Sequence, residues 1–552
     1  MKQSKSSHQQ KPETVNIPKD DLNTLFRKIV DKHKDENAVF FKGKYKTYGE
    51  LDEEVNRLSN SFKKLGVRKG DRVAIFLPNC PQFITTFFAV QAVGGIFTSF
   101  NPMYSAREIQ QRLDDCKPKI LVTLNIFLDK IKKIEQDISV DYIVVTSVAR
   151  ELPTLKKYIY KLITAGKKIT LEKGMQYNEL LADGENMRIS TKLNPENDVA
   201  VLQYTGGTTG DPKGAMLTHK NLIYQTTVLE YWKQKMKKQP EGQNKVAGVL
   251  PFSHIFGLTS SFLWPISEGL AVYLIPDPRK LEEVMALIDA HKIHFLYCVP
   301  IFFQKFALHK NLKAYDLSSL HLCISGGESL PKETVDIFEK NAKCLLIEGY
   351  GLSEASPVTH VNYPIKEERK IGSIGVTVPN TSARLIDTDT KKEIKSYGKP
   401  GEIWVKGPGI MKGYWNNSKA TEDAIHNGWL RTGDIAIKNE DGFFTVVDRL
   451  KDMIIVSGFK VWPNEVEEIL LSHPSILEAA IIGVSSDLGT KIKAILVKKE
   501  EAEALSLEDI KSYCKQYLAS YKIPKVVEYM DALPRSSVGK VLRRQLRTDD
   551  AA

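Results

Sequence analysis

Residues 203–219, QYTGGTTGDPKGAMLTH, crowd four glycines, five hydroxyl side chains and one lysine behind the apolar run DVAVL. Small residues let backbone N–H groups approach an anion closely, hydroxyls add donors, and Lys213 adds positive charge, so the chemistry this stretch suits is phosphate binding. It is not a Walker A loop, which needs Lys-Ser/Thr after its second glycine: Lys213 follows Pro212, which has no N–H to offer, and precedes Gly214. The alternative is an ordinary Gly-rich turn. Two further stretches set glycines and polar residues behind apolar runs, SGGES at 325–329 and EGYGLSEASP at 348–357. In open α/β sheets ligands collect at the carboxyl ends of strands, which is where all three stretches fall if the runs before them are strands.

The rest of the chain supplies such elements. TYGELDEEVNRLSNSFKKLG opens with Thr47 and Glu50 at capping-box spacing, sets Leu51, Val55, Leu58, Phe62 and Leu65 on one helical face, and stops at Gly66. The strand-like DRVAIFL follows, then a helix around 83–93, a second capping box of Ser105 with Glu108, and the strand KILVT. After a less regular segment near 130–195, DVAVLQY, KVAGVLPF, LAVYLI, IHFLYCV, LHLCISGG and CLLIEGYG are strand candidates. Helices alternating with short apolar strands predict an α/β protein. From about 370 the texture turns to Gly/Pro turns and short strands, a β-rich unit. The last hundred residues alternate helix and strand again as a small α+β domain, with a boundary near 450.

At 552 residues the chain exceeds one hydrophobic core and divides into roughly three or four units. With 42% hydrophobic and 26% charged residues it is neither fibrous nor disordered. The net charge of +11 lies upstream of residue 451, since residues 451–552 carry 15 basic and 15 acidic side chains; it reads as a solvated basic surface, and no motif points to a nucleic-acid partner. Cys80, Cys116, Cys298, Cys323, Cys344 and Cys514 are scattered without a CxxC pair, as reduced core residues are. Residues 1–20 have no apolar core of signal-peptide length and read as a flexible lead-in, and a cytoplasmic protein is expected. The most apolar stretches, 83–100 and 248–275, are broken by Gln91, Gly94, Gly95, His254, Pro265 and Glu268 and do not read as membrane spans.

Five motifs fall in one order: YTGGTTGDPKG at 204–214, GYGLSEASP at 349–357, RTGD at 431–434, DRLKDMIIVSGFKVWPNEVE at 448–467 and PRSSVGKVLR at 534–543. Together, from about residue 40 onward, they resemble the adenylate-forming superfamily of acyl-CoA synthetases, luciferases and adenylation domains. Singly, Asp434 reads equally as a turn aspartate, Glu354 as a helix-cap acid and Gly458 as a hairpin glycine; their joint occurrence favours the resemblance.

The resemblance implies a large N-terminal domain (21–450) of two α/β sheets plus a small β-rich unit, and a small mobile α+β C-terminal domain (451–552). It implies ATP, Mg²⁺ and CoA as cofactors and a two-step reaction, carboxylate attack on the α-phosphorus followed by thiol attack on the acyl carbon. The loop of Thr205, Gly206, Gly207, Thr208, Thr209 and Lys213 would wrap the β- and γ-phosphates. Glu354 would hold Mg²⁺, with Thr208, and Ser353 would lie near the α-phosphate. Adenine would stack on Tyr350 with room left by Gly326 and Gly327. Asp434 would accept the ribose hydroxyls, and Arg449 would add a ribose or phosphate contact. Lys540 is the expected catalytic lysine of adenylation, whereas Arg535, Arg543, Arg544 and Arg547 around it read as a solvated tail. Lys451 is the expected hinge about which the C-terminal domain swings, bringing Gly458, Phe459 and Lys460 to a tunnel for the CoA arm.

The resemblance is strongest to medium- and long-chain fatty acyl-CoA synthetases. Gly351 stands where acetate enzymes carry tryptophan and so would leave the acyl pocket open, with His254 near the carboxylate and Ile255 and Phe256 in the wall. A core histidine is the other reading of His254. Glu328 departs from the small residue common in fatty-acid enzymes and bears on chain length; DLGTKIKA departs from the Arg-Gly-Glu of relatives. A basic amphipathic helix at 155–168 suits either a peripheral membrane contact or packing on its own domain. Fatty acid and CoA are the expected partners, and the oligomeric state stays open, a homodimer included. The rival readings are an aryl (4-coumarate-like) CoA ligase, a stand-alone acyl-adenylating protein that loads a carrier, and a lipid-binding protein with a dead site.

Overall fold

Apolar runs with little alternation become strands buried on both faces, because helices cover each side of a parallel sheet. Leu322–Gly326 and Ile120–Leu124 are buried along their whole length. The computed structural model describes residues 13–154, 171–205, 212–456, 459–486, 489–500, 502–536 and 540–547. Residues 155–170, with the expected amphipathic helix, lie outside them.

Among the described residues two large sheets make up most of the N-terminal domain. The first runs, in strand order, Gly174–Gln176, Tyr142–Thr146, Ile120–Leu124, Arg72–Phe76, Ile96–Ser99, Val199–Thr205 and Lys213–Thr218, parallel except for the last strand. The second has nine strands with a parallel centre that includes Leu345–Gly351, Leu322–Gly326, Phe295–Cys298, Lys245–Gly248 and Ala271–Leu274. A six-stranded antiparallel unit, including Ser382–Ile386, Gly401–Lys406, Trp429–Lys438 and Phe444–Arg449, is the β-rich part. Beyond it come the hairpin Ile454–Val456 and Phe459–Val461, the helix Pro463–Leu471 and a three-stranded sheet with its own core of Val461, Val466, Leu470, Ile481 and Ile492. This is the α/β architecture with a small C-terminal domain that the sequence predicts.

Local signals hold at residue level. Thr47 and Glu50 close a capping box on the helix Tyr48–Lys64, whose Leu51, Val55, Leu58 and Phe62 are fully buried, and Ser105 with Glu108 does the same for Ala106–Cys116. All six cysteines are free and buried. No helix among the described residues is long and apolar enough to cross a membrane. One difference is at the start: Glu13 and Val15, expected as part of a flexible lead-in, are tied to Lys235 at the end of the helix His219–Gln234 and to Asn380 just ahead of the β-rich unit. The Val15 N–H donates to Asn380 Oδ1 at 3.2 Å, Asn380 Nδ2 donates to Val15 O at 2.8 Å, and Glu13 pairs with Lys235 at 2.7 Å.

Candidate active site

A cleft of about 1940 Å³ is lined by the carboxyl ends of strands from both large sheets, by the β-rich unit and by the C-terminal domain. Thr205 ends its strand and Lys213 begins the antiparallel partner, their Cα atoms paired, so the Gly-rich stretch joins these two strands. Gly206, Gly207, Thr208 and Thr209 lie outside the described residues. Lys213 Nζ stands 5.4 Å from the ring centre of Tyr414, and the Tyr414 hydroxyl donates to Glu354 Oε1 at 2.7 Å. Tyr414 thus links Lys213 to Glu354; GYWNN betrayed nothing of this, because the contact spans sixty residues.

Glu354 sits with Ser353 in the short turn Ser353–Ala355 after the strand Leu345–Gly351. Among the described residues Tyr414 alone donates to its carboxylate, at Oε1, so Oε2 is left for a further partner on the cleft wall. No cluster of three or more His, Cys, Asp or Glu side chains occurs among the described residues, so a divalent cation would have to complete its shell with phosphate oxygens and water. That donor set suits Mg²⁺, which keeps several waters and binds through one or two carboxylates plus substrate phosphates.

Tyr350, Asp434 and Arg449 meet as expected of a nucleotide-sugar site. Asp434 and Arg449 face each other across paired strands. Arg449 Nε lies 3.1 Å from Asp434 Oδ1, and the Tyr350 hydroxyl donates to Asp434 Oδ2 at 2.6 Å. A carboxylate has about four lone-pair sites, so two remain for further donors. Asp434 raises the Arg449 pKa, and burial followed by the Asp434 charge raises that of Tyr350 well above the ordinary value. Gly327 has φ +96°, a left-handed conformation that favours glycine, and a Cβ there would lie 4.0 Å from Lys540 Cε. Gly326 is held small by the Phe256 ring, 3.1 Å from where its Cβ would be.

Lys540, from the C-terminal domain, stands in this cleft. Burial, then the Arg449 guanidinium, lowers its pKa, and Asp434, Glu328 and Glu354 pull the other way. His254 is close enough for Lys540 to act on it: burial first and Lys540 second depress its pKa to about 4, so the imidazole is neutral at neutral pH. Its Nδ1 accepts the Phe256 N–H at 3.3 Å, which leaves the proton on Nε2 as a donor. This arrangement, with Ile255 and Phe256 lining the same cleft ahead of a π-helical turn at Gly257–Leu263, favours the functional reading of His254. Glu348, not singled out in the sequence, also lines the cleft; burial raises its pKa to about 8 and keeps it largely protonated at neutral pH.

Two expectations change. Gly351 lines the cleft, but a Cβ there would stand 2.1 Å from Pro357 O, so the glycine answers first to a backbone crossing and not to an open acyl pocket. Gly351→Ala is therefore expected to cost about 1–3 kcal/mol of stability or more, read as a lower thermal midpoint with the chain-length profile unaltered. An unchanged midpoint with a shift toward short acids would restore the pocket explanation. Second, Arg535, Arg543 and Arg547 near Lys540 are not part of a solvated tail. Arg535 pairs with Glu478 at 2.9 Å, Arg543 with Glu467 at 2.7 Å and Arg547 with Asp452 at 3.1 Å. Phe459 and Lys460, expected at the cleft only once the C-terminal domain swings, stand outside its lining while Lys540 is in it. The exposed Phe459 stacks on Tyr521 at 4.7 Å and Lys460 pairs with Asp389 of the N-terminal domain at 2.8 Å, while Gly458 lies outside the described residues.

A nucleotide-type site at sheet carboxyl ends, closed by a lysine from a small C-terminal domain, defines a class, and the chain belongs to it: it is a member of the AMP-binding enzyme family, whose pattern matches residues 26–415, with the AMP-binding enzyme C-terminal domain at 465–540. Among characterised relatives it is similar to the long-chain-fatty-acid–CoA ligase of Bacillus subtilis (strain 168), 38% identical over 98% of this chain and 96% of the relative. The enzyme of the same name from Escherichia coli O157:H7 is 36% identical over 95% and 94%. The solved structure of ATP-bound MatB from Rhodopseudomonas palustris superposes with a TM-score of 0.83 at 26% identity, covering 96% of this chain and 99% of that one.

Proposed function

We propose that the chain is an AMP-forming acid–thiol ligase that activates a fatty acid with ATP and transfers the acyl group to CoA. The observation that carries the reading is the convergence of Lys540, His254, Glu354 and the Asp434–Arg449 pair on one cleft. In the first half-reaction a carboxylate oxygen attacks the α-phosphorus and the bond to the β-phosphate breaks, giving acyl-adenylate and pyrophosphate. Two anions must meet, so the site needs preorganised cations, which Lys540, Arg449 and Lys213 supply. The His254 Nε2–H serves the carboxylate as a neutral donor. Glu354, with Thr208, would hold Mg²⁺, which screens phosphate charge when bound. Asp434 takes the ribose hydroxyls, the Tyr350 ring and the space beside Gly327 take adenine, and Ser353 lies by the α-phosphate.

In the second half-reaction the CoA thiol attacks the acyl carbon, the carbon–oxygen bond to AMP breaks and the thiol proton passes to solvent. For this step the domain 451–552 turns about Lys451, which lies in the turn Leu450–Asp452 between the last strand of the β-rich unit and the hairpin, and carries Gly458, Phe459 and Lys460 to the cleft. The breaking of the Lys460–Asp389 pair belongs to that motion. A cytoplasmic setting suits six free, buried thiols.

An alkyl substrate is favoured by the two fatty-acid relatives and by the apolar part of the cleft wall, which includes Val228, Leu229, Trp232, Phe256, Tyr297 and Ile324. Each methylene buried there adds about 0.8 kcal/mol, roughly a fourfold gain in affinity. Specificity constants for acyl-CoA formation should therefore rise from acetate through octanoate toward palmitate. A maximum at acetate or at coumarate would overturn the fatty-acid assignment.

A further inference from the structure

We propose that Glu328 is a positioning residue that docks the catalytic-lysine loop of the C-terminal domain onto the N-terminal domain; the proposal rests on the adenylation reading above. From sequence this carboxylate stood out only as a departure bearing on chain length. In the structure both its oxygens engage the segment that carries Lys540. Oε1 accepts the Val541 N–H at 3.1 Å, and Oε2 lies 3.5 Å from the Arg535 guanidinium.

The segment itself closes on local bonds. Arg535 and Val541 form an antiparallel bridge, the Ser536 N–H donates to Lys540 O at 2.7 Å, and the Lys540 N–H donates to Ser536 Oγ at 3.1 Å. Arg535 is held within its own domain by Glu478 at 2.9 Å. The described residues that flank 537–539 are therefore held together within the C-terminal domain, and Glu328 grips them on both sides of the lysine. Because Glu328 directly follows Gly326 and Gly327, the docking point is one residue from the wall against which Lys540 Cε lies. The carboxylate sets where the ammonium stands and has no need to touch a reacting atom.

Such a role is specific to one half-reaction. A lysine displaced by about 1 Å loses on the order of 10²-fold in rate, and loss of a hydrogen bond to a charged group costs roughly 10- to 100-fold. Glu328→Ala is therefore expected to lower the kcat of pyrophosphate release by about 10- to 100-fold, with the KM for ATP unchanged and acyl-CoA formation from supplied acyl-adenylate intact. Glu328→Gln, which keeps an acceptor for Val541 but not the charge facing Arg535, should recover part of the loss.

The full-length protein is tested in two ways on the same preparations: both half-reactions, and amide hydrogen exchange of the segment that contains Val541. In Glu328→Ala exchange at Val541 should quicken, with less change in Glu328→Gln. An unchanged kcat, equal loss in both half-reactions, or a raised KM for ATP with normal kcat would overturn the proposal. If the unsubstituted protein releases no pyrophosphate with any acid, the ligase reading falls, and exchange alone decides the docking role: unchanged protection at Val541 in Glu328→Ala refutes it.

Discussion

Lys540→Ala is expected to lower acyl-adenylate formation by about 10³-fold while leaving thioester formation from supplied acyl-adenylate nearly intact. Lys540 is brought from another domain into a cleft whose other occupants, Arg449, Asp434 and Glu354, are already fixed by their own elements. Its ammonium is the mobile charge of the set, and in the first half-reaction it faces the growing negative charge on the α-phosphate. In the second half-reaction AMP departs as a stable phosphate anion when the acyl carbon–oxygen bond breaks, a step that needs the lysine far less. Burial and Arg449 lower its pKa, so that loss of its charge begins at lower pH than for an ordinary lysine, and pyrophosphate release should fall on the alkaline side accordingly. Equal loss in both half-reactions would contradict the assignment.

The second large effect is expected at Asp434. It is buried, takes the Tyr350 hydroxyl and faces Arg449 across the strand pair. Asp434→Asn keeps the shape but removes the charge that holds Arg449, and it offers the ribose one acceptor oxygen in place of two. Charge-assisted hydrogen bonds contribute about 1.5–3 kcal/mol each, so the KM for ATP should rise by on the order of 10²-fold, with the KM for fatty acid little altered. Steady-state kinetics with each substrate varied would show it. An ATP KM within about threefold of the unsubstituted value, where roughly 0.6 kcal/mol separates the two, would mean that Asp434 is structural.

How far the sequence carried depends on the distance over which each signal acts. Strands and caps are local: within LHLCISGG the apolar run became the wholly buried strand Leu322–Gly326, and Thr47 with Glu50 caps its helix through two bonds within four residues. The members of the candidate site were legible because their motifs run in a fixed order. Their partners were not. Tyr414 reaches Glu354 across 60 positions and Glu328 reaches Val541 across 213, and neither contact leaves a periodicity or a spacing. Gly351 illustrates the opposite failure: a small residue beside a pocket suggests room for substrate, yet the space belongs to Pro357 O. Arg543, an apparently solvated cation beside other cations, folds onto Glu467 because the helix Pro463–Leu471 presents that carboxylate to it.

The most direct test of the account is pyrophosphate release by the purified protein with ATP and Mg²⁺ across acetate, octanoate, palmitate and coumarate, each with and without CoA. The account predicts turnover that depends on CoA and is highest with an alkyl acid longer than acetate. Turnover indifferent to CoA, or highest with coumarate, would contradict it.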